Sequence, residues 1–115
     1  MVIEHDGEIY SCDHFVYPKY SLGNIKERKL NQALFSQQQK KFGFDKKHGL
    51  PQYCRDCKYL TMCNGECPKN RFIRTPAGEP ELNYLCSGLK KYFAHIEPYT
   101  KEMAAKARSD QDLTG

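Results

Sequence analysis

The run Cys54-x2-Cys57-x5-Cys63-x3-Cys67-Pro68 constrains this chain more than any other feature. A two-residue spacer lets two thiolates point at one metal from a single tight turn, so four soft ligands in this short span predict a metal site. The competing use of six cysteines is a disulfide framework. Against it, the N-terminus Met1-Val2-Ile3-Glu4-His5-Asp6 has neither the basic nor the apolar region of a secretory signal, and no apolar run approaches the ~20 residues of a membrane span. The chain is therefore read as soluble, cytoplasmic and free of membrane. In that reducing compartment clustered cysteines point to metal or catalysis over disulfides.

A metal would also supply what the apolar residues lack. Leu, Ile, Val and Phe make up 22 of the 115 residues, near the composition at which chains stop folding on apolar burial alone. Ordering a chain of this length costs on the order of 100–200 kcal/mol of conformational entropy. A large oily core and a second independent domain are both excluded. The formal net charge of +4 is too small to imply a nucleic-acid partner.

The expected fold is small α+β. Two short strand-like runs flank Asp6-Gly7 within residues 2–12, predicting an N-terminal β-hairpin. Residues 13–23, with Phe15, Tyr17, Pro18, Tyr20 and Gly23, read as a packed irregular loop. Leu30, Ala33, Leu34 and Phe42 approximate helical spacing and predict one amphipathic helix stopped at Gly43. The seven basic and two acidic residues from Lys26 to Lys47 read as a solvated face. Residues 48–81 show no periodicity and are expected to be irregular loops organised by their ligands. From about Asn83 to Arg108 an apolar stripe including Leu85, Leu89, Tyr92, Phe93, Ile96, Tyr99 and Met103 predicts a C-terminal amphipathic helix, kinked or split at Pro98 and serving as core. The domain is placed at 1–108, with 109–115 a disordered tail.

Four-cysteine sites suit both zinc and iron-sulfur clusters, and the spacing leans toward iron-sulfur. A bacterial ferredoxin run is C-x2-C-x2-C-x3-C-P; the same ends occur here with the middle spacer stretched to five. In ferredoxins the Cys-Pro cysteine ligates the other cluster. If that carries over, Cys67 serves a second site, and Cys86, at the entry of the last helix, is the natural fourth ligand for Cys54, Cys57 and Cys63.

Taken with Gly7-x4-Cys12 and Cys86, the cysteine order and spacing resemble the SPASM domain, the auxiliary-cluster extension at the C-terminus of some radical SAM enzymes. Gly7-Glu8-Ile9-Tyr10-Ser11-Cys12-Asp13-His14-Phe15, Leu22-Gly23-Asn24-Ile25 and Leu82-Asn83-Tyr84-Leu85-Cys86 narrow the likeness to anaerobic sulfatase-maturating enzymes, which oxidise a sulfatase Cys or Ser to formylglycine. The resemblance implies two 4Fe-4S clusters. Cys54, Cys57, Cys63 and Cys86 would hold one; Cys12 and Cys67, with two cysteines upstream of the Gly-x4-Cys motif, would hold the other. Those two cysteines and the radical SAM signature C-x3-C-x2-C do not occur in the sequence, where Cys63-x3-Cys67 is followed at the decisive position by Asn70. The chain is expected to be a C-terminal piece lacking the N-terminal side of its domain. Alone it would not be active. The implied partners are a sulfatase polypeptide and the radical SAM domain of the same parent chain, with no membrane partner and nucleic acid disfavoured.

The aspartate after the Gly-x4-Cys cysteine is the family's proposed general base, and Asp13 occupies that place. A substrate radical at Cβ must still lose one proton and one electron, and a carboxylate beside a cluster suits the first of these. The plainer role for Asp13 is to cap the turn after the hairpin. His14 reads as a loop histidine that could replace a thiolate in a zinc-loaded fragment, while His5, His48 and His95 lie far in sequence from any cysteine. The alternative function is a zinc-stabilised module contacting nucleic acid or protein, with the basic stretch 26–47 and residues such as Arg55, Lys58, Lys69, Arg71 and Arg74 on phosphates.

Overall fold

A computed structural model describes residues 1–112. The expected hairpin forms from β1 (Val2–Ile3) and β2 (Glu8–Tyr10), paired antiparallel with Val2 opposite Tyr10 and Ile3 opposite Ile9. Its turn is a three-residue loop. Glu4 O accepts from Gly7 N and Glu4 N donates to Glu8 O, both at 2.9 Å, and Gly7 takes φ +91°, a conformation that glycine adopts without steric cost.

A third strand, β3 (Ser21–Asn24), lies where the sequence suggested irregular loop. It pairs antiparallel with β2 through an irregularity between Ile9 and Tyr10, so one extra residue fits opposite that step. Pro18 and Gly23 are the loop signals that concealed it. Pro18 precedes the strand in a 3-10 turn (Pro18–Tyr20), and Gly23, at φ +101°, sits inside it opposite Ile9. Ile9 and Leu22 pack with Ala33 of α1 (Leu30–Leu34) as the buried apolar cluster of the sheet. Arg28 ties these elements together, donating to Leu22 O at 2.7 Å and Gln32 O at 2.9 Å.

The single helix expected over Leu30–Phe42 is instead two. After α1 the chain breaks, and Ser36 caps α2 (Gln37–His48) by accepting from Gln39 N at 3.2 Å. Gly43 does not stop α2. An interior glycine costs only about 1 kcal/mol, and the helix runs on to Gly49, whose N–H closes the last turn on Asp45 O. Residues 48–81 contain two one-turn helices, α3 (Gln52–Arg55) and α4 (Leu60–Cys63), and a bridge pairing Ile73 with Leu82.

α5 spans Cys86–Asp112 without interruption at Pro98. It includes Ser109–Asp112, which the sequence assigned to a disordered tail; residues 113–115 of that tail lie outside the described residues. Its apolar stripe is not core along its length. Leu89, Phe93 and Ile96 are half-buried, whereas Tyr92, Tyr99 and Met103 are exposed. Among the described residues no helix is long and apolar enough to cross a membrane.

Candidate metal centre

Four cysteines from four local elements face one crevice of about 330 Å³. Cys54 lies on α3, and Cys57 follows one turn later, its N–H bonded to Cys54 O. Cys63 ends α4 and Cys86 begins α5. The walls are Tyr53, Tyr59, Leu60, Leu89 and Phe93, so the thiols are half-buried in apolar surroundings. Leu89 and Phe93, read from sequence as core, therefore line the cysteine site.

The electrostatics follow from this grouping. Burial pushes the Cys54 thiol above its ordinary pKa, and Cys86 and Cys63 push it further, with Arg71 opposing. Cys86 is raised first by burial, against the pull of Lys90, with Cys63 and Cys57 adding to the rise. Cys54 and Cys86, whose ionisation is disfavoured by burial and by the neighbouring thiols, belong to a donor set suited to a strongly cationic centre, whose binding would reverse that balance. A four-cysteine set suits either zinc or an iron-sulfur cluster, and among the described residues no three His, Cys, Asp or Glu side chains stand close enough together for a single metal ion.

Cys67 turns away from this crevice. It opens, with Cys12, Asp13 and His14, on a wider trough of about 1090 Å³ that also reaches Cys63. Two thiols are half a cluster's donor set. Cys12 Sγ donates to Asp13 Oδ1 at 3.2 Å; this bond, more than the neighbouring His14, holds the exposed Asp13 carboxyl below its ordinary pKa despite an opposing desolvation effect. His14 Nδ1 lies 3.1 Å from Cys67 Sγ. His5, His48 and His95 line neither cavity.

The segment between Cys63, which borders both cavities, and Cys67, which borders only the trough, is Asn64-Gly65-Glu66, with φ of 45°, 70° and 53°. Three successive left-handed residues need a scaffold, and Arg71 supplies it. Arg71, 6% exposed as a residue, donates from its guanidinium to Gly65 O at 2.9 Å, Asn64 O at 3.0 Å, Glu66 O at 2.7 Å and Lys46 O at 2.7 Å. This overturns its assignment as a phosphate contact. Arg55 bonds Leu50 O and His48 O, Arg74 bonds Gly78 O, and Lys58 pairs with Glu97, so these three are also engaged within the fold.

Two further positioning residues gave no sequence signal. Glu79 accepts from Gln52 N at 2.9 Å and Tyr53 N at 3.3 Å, capping the helix of Cys54 from 26 or more residues away. Asn83, buried, accepts from Leu85 N through its side chain and from Cys86 N through its carbonyl, and reaches Gly65 O with Nδ2 at 3.4 Å. A side chain that caps a distant segment carries no local periodicity, so only the Asn64-Gly65 turn signal was available in advance.

Comparison with known proteins agrees with this chemistry. Residues 1–58 match the SPASM family, described as an iron-sulfur cluster-binding domain. A serine-type anaerobic sulfatase-maturating enzyme of Bacteroides thetaiotaomicron is 50% identical over 110 residues, covering 96% of this chain and 27% of the relative. A cysteine-type enzyme of Clostridium perfringens is 30% identical over 97 residues, covering 84% and 26% respectively. The structure of native anSMEcpe with bound AdoMet and Kp18Cys peptide superposes with a TM-score of 0.75 at 28% identity, covering 91% of this chain and 28% of that one. The chain thus spans about a quarter of the length of the curated relatives it matches. By the family match and by the cysteine architecture it accompanies, the chain belongs to the SPASM family of iron-sulfur cluster-binding domains.

Proposed function

We propose that this chain is the auxiliary iron-sulfur domain of a cytoplasmic radical SAM enzyme that oxidises a sulfatase Cys or Ser to formylglycine. The observation that carries the reading is that Cys54, Cys57, Cys63 and Cys86 line one crevice which Cys12 and Cys67 do not reach, while those two lie beside Asp13 on a trough that Cys63 also borders. Support for the reaction class comes from relatives named as anaerobic sulfatase-maturating enzymes of the serine and cysteine types. Support for its reactants comes from a structural neighbour with bound AdoMet and peptide.

Cys54, Cys57, Cys63 and Cys86 would hold one 4Fe-4S cluster, and Cys12 and Cys67 half of the ligands of a second. When bound, such a cluster supplies a site for the electron that the substrate must release. The chain's own residues do the rest. Arg71 holds the left-handed loop between Cys63 and Cys67. Asp13 accepts the proton from the substrate thiol or hydroxyl. The radical SAM domain of the same polypeptide and the sulfatase are the partners. Against the nucleic-acid alternative, Arg71 is buried and Arg55, Lys58 and Arg74 are bonded within the fold.

The test is iron and sulfide content of the intact enzyme reconstituted without oxygen. Double substitution Cys54→Ala/Cys57→Ala should remove one cluster's complement, and Cys12→Ala/Cys67→Ala a different one, each with its own spectroscopic signal. If both pairs remove the same signal, the two-site reading is wrong.

A further inference from the structure

His14 and Cys67 meet across 53 residues of sequence, each held by separate packing. His14 is the middle residue of a 3-10 turn (Asp13–Phe15) closed by Phe15 N on Cys12 O at 3.0 Å. The Phe15 ring packs edge-on against Tyr20 and Phe42, with centroids 4.9 and 5.3 Å away. Cys67 is fixed from the other side, its N–H on Glu66 Oε2 and the Glu66 carbonyl on Arg71. The contact therefore joins two independently supported segments.

The direction of the hydrogen bond follows from the ligand chemistry. A free thiol can donate to an imidazole nitrogen, but an iron-bound thiolate has no proton and only accepts. The 3.1 Å contact survives cluster binding only with a proton on Nδ1. Nothing more is required of the ring, whatever Nε2 carries. Nε2 faces the other way, 3.9 Å from Asp13 Oδ2, so the imidazole lies between the proposed proton acceptor and the ligand sulfur.

We propose that His14 donates a hydrogen bond from Nδ1 to the Cys67 sulfur and thereby raises the reduction potential of the cluster at the Cys12 and Cys67 site. A hydrogen bond to a ligand sulfur withdraws electron density and favours the more negatively charged, reduced cluster. A raised potential favours uptake of the electron that substrate oxidation releases. The inference rests on the function proposed above, and His14 acts as a positioning residue, through Cys67, with no direct part in the chemistry.

The experiment is an anaerobic redox titration of the intact, iron-loaded enzyme followed by electron paramagnetic resonance. Cys67→Ala identifies the signal of the cluster concerned. His14→Leu and His14→Phe, which lack a donor, should keep the wild-type iron and sulfide content and shift that cluster's midpoint potential downward, leaving other clusters unmoved. His14→Asn, whose amide can place an N–H near the position of Nδ1, should restore the potential. If Cys67→Ala removes no cluster signal, the functional reading fails and the inference with it. If it removes one whose potential is indifferent to both donor-free variants, the inference alone fails. Loss of iron from all three His14 variants would also overturn it, since His14 would then be a ligand.

Discussion

Arg71 Nε donates to the Gly65 carbonyl oxygen at 2.9 Å, bracing the loop between Cys63, which borders both cavities, and Cys67, which borders only the trough. The same guanidinium serves three more carbonyls, one of them on Lys46 at the end of α2. Replacing it by Leu leaves several buried acceptors without donors, each costing about 1–3 kcal/mol. We expect Arg71→Leu to destabilise the domain by about 3 kcal/mol or more in denaturant unfolding. Iron content should fall for both sites. Arg71→Lys should recover little, because an ammonium cannot span four carbonyls in the geometry of a planar fork.

Gly65 has no tolerance for a side chain. At φ +70° an added Cβ would overlap the Leu50 side chain and stand 3.1 Å from Arg71 Nη2. Gly65→Ala should cost more than about 1 kcal/mol, the range within which glycine replacements at compatible sites act. Thermal unfolding measures it. A variant as stable as the parent would show that the loop has another conformation available.

Asp13→Asn removes the proposed proton acceptor and keeps its shape. In the intact enzyme, cluster content and cleavage of S-adenosylmethionine should persist while formylglycine formation falls by about 10²–10⁴-fold, the usual worth of a general base. Mass spectrometry of a sulfatase peptide reads the product. Undiminished formation would dismiss Asp13 from this role, and loss of clusters would make it structural.

Glu97 anchors α5 to the cysteine region by pairing with Lys101 on its own helix and with Lys58 next to Cys57. Those bonds, Lys101 first and Lys58 second, hold its carboxyl down to about 2 from an ordinary 4.5. A carboxyl depressed by folding stabilises the folded state above its unfolded pKa. That contribution is complete above about 4.5 and is lost as pH falls toward 2. Protection of the α5 amides against hydrogen exchange, corrected for the intrinsic pH dependence of exchange, should therefore fall over this window, and by less at high salt, which screens the pairs at every pH. Glu97→Gln should flatten the dependence.

An isolated chain prepared in air should hold about one zinc in place of an oxygen-labile cluster, with the four crevice thiols drawn inward to reach zinc distances. Metal analysis should then find Cys63→Ala empty, Cys86→Ala weakened and Cys67→Ala nearly unchanged. Release of metal by Cys67→Ala, with Cys86→Ala unaffected, would reverse the ligand assignment for this form.

The cysteine spacings, the Asp6-Gly7 turn and the stripe of the C-terminal helix were legible in the residues because each is a local pattern, repeated or punctuated within a few positions. The position of Asp13 beside Cys12 was legible for the same reason. Tertiary structure decided what depends on partners distant in sequence. β3 exists because Leu22 and Ile9 share a buried cluster despite Pro18 and Gly23 nearby. Arg71 is interior because a left-handed loop six residues away presents carbonyls to it, and a lone arginine between cysteines gives no sign of that. The grouping of Cys86 with Cys54, and of Cys12 with Cys67, was suggested by spacing and by the family resemblance, and separate segments must dock to bring it about. Spacing names the donors, but only the packed chain determines which of them face the same cavity, because thiols distant in sequence are brought together by contacts that local propensity does not encode.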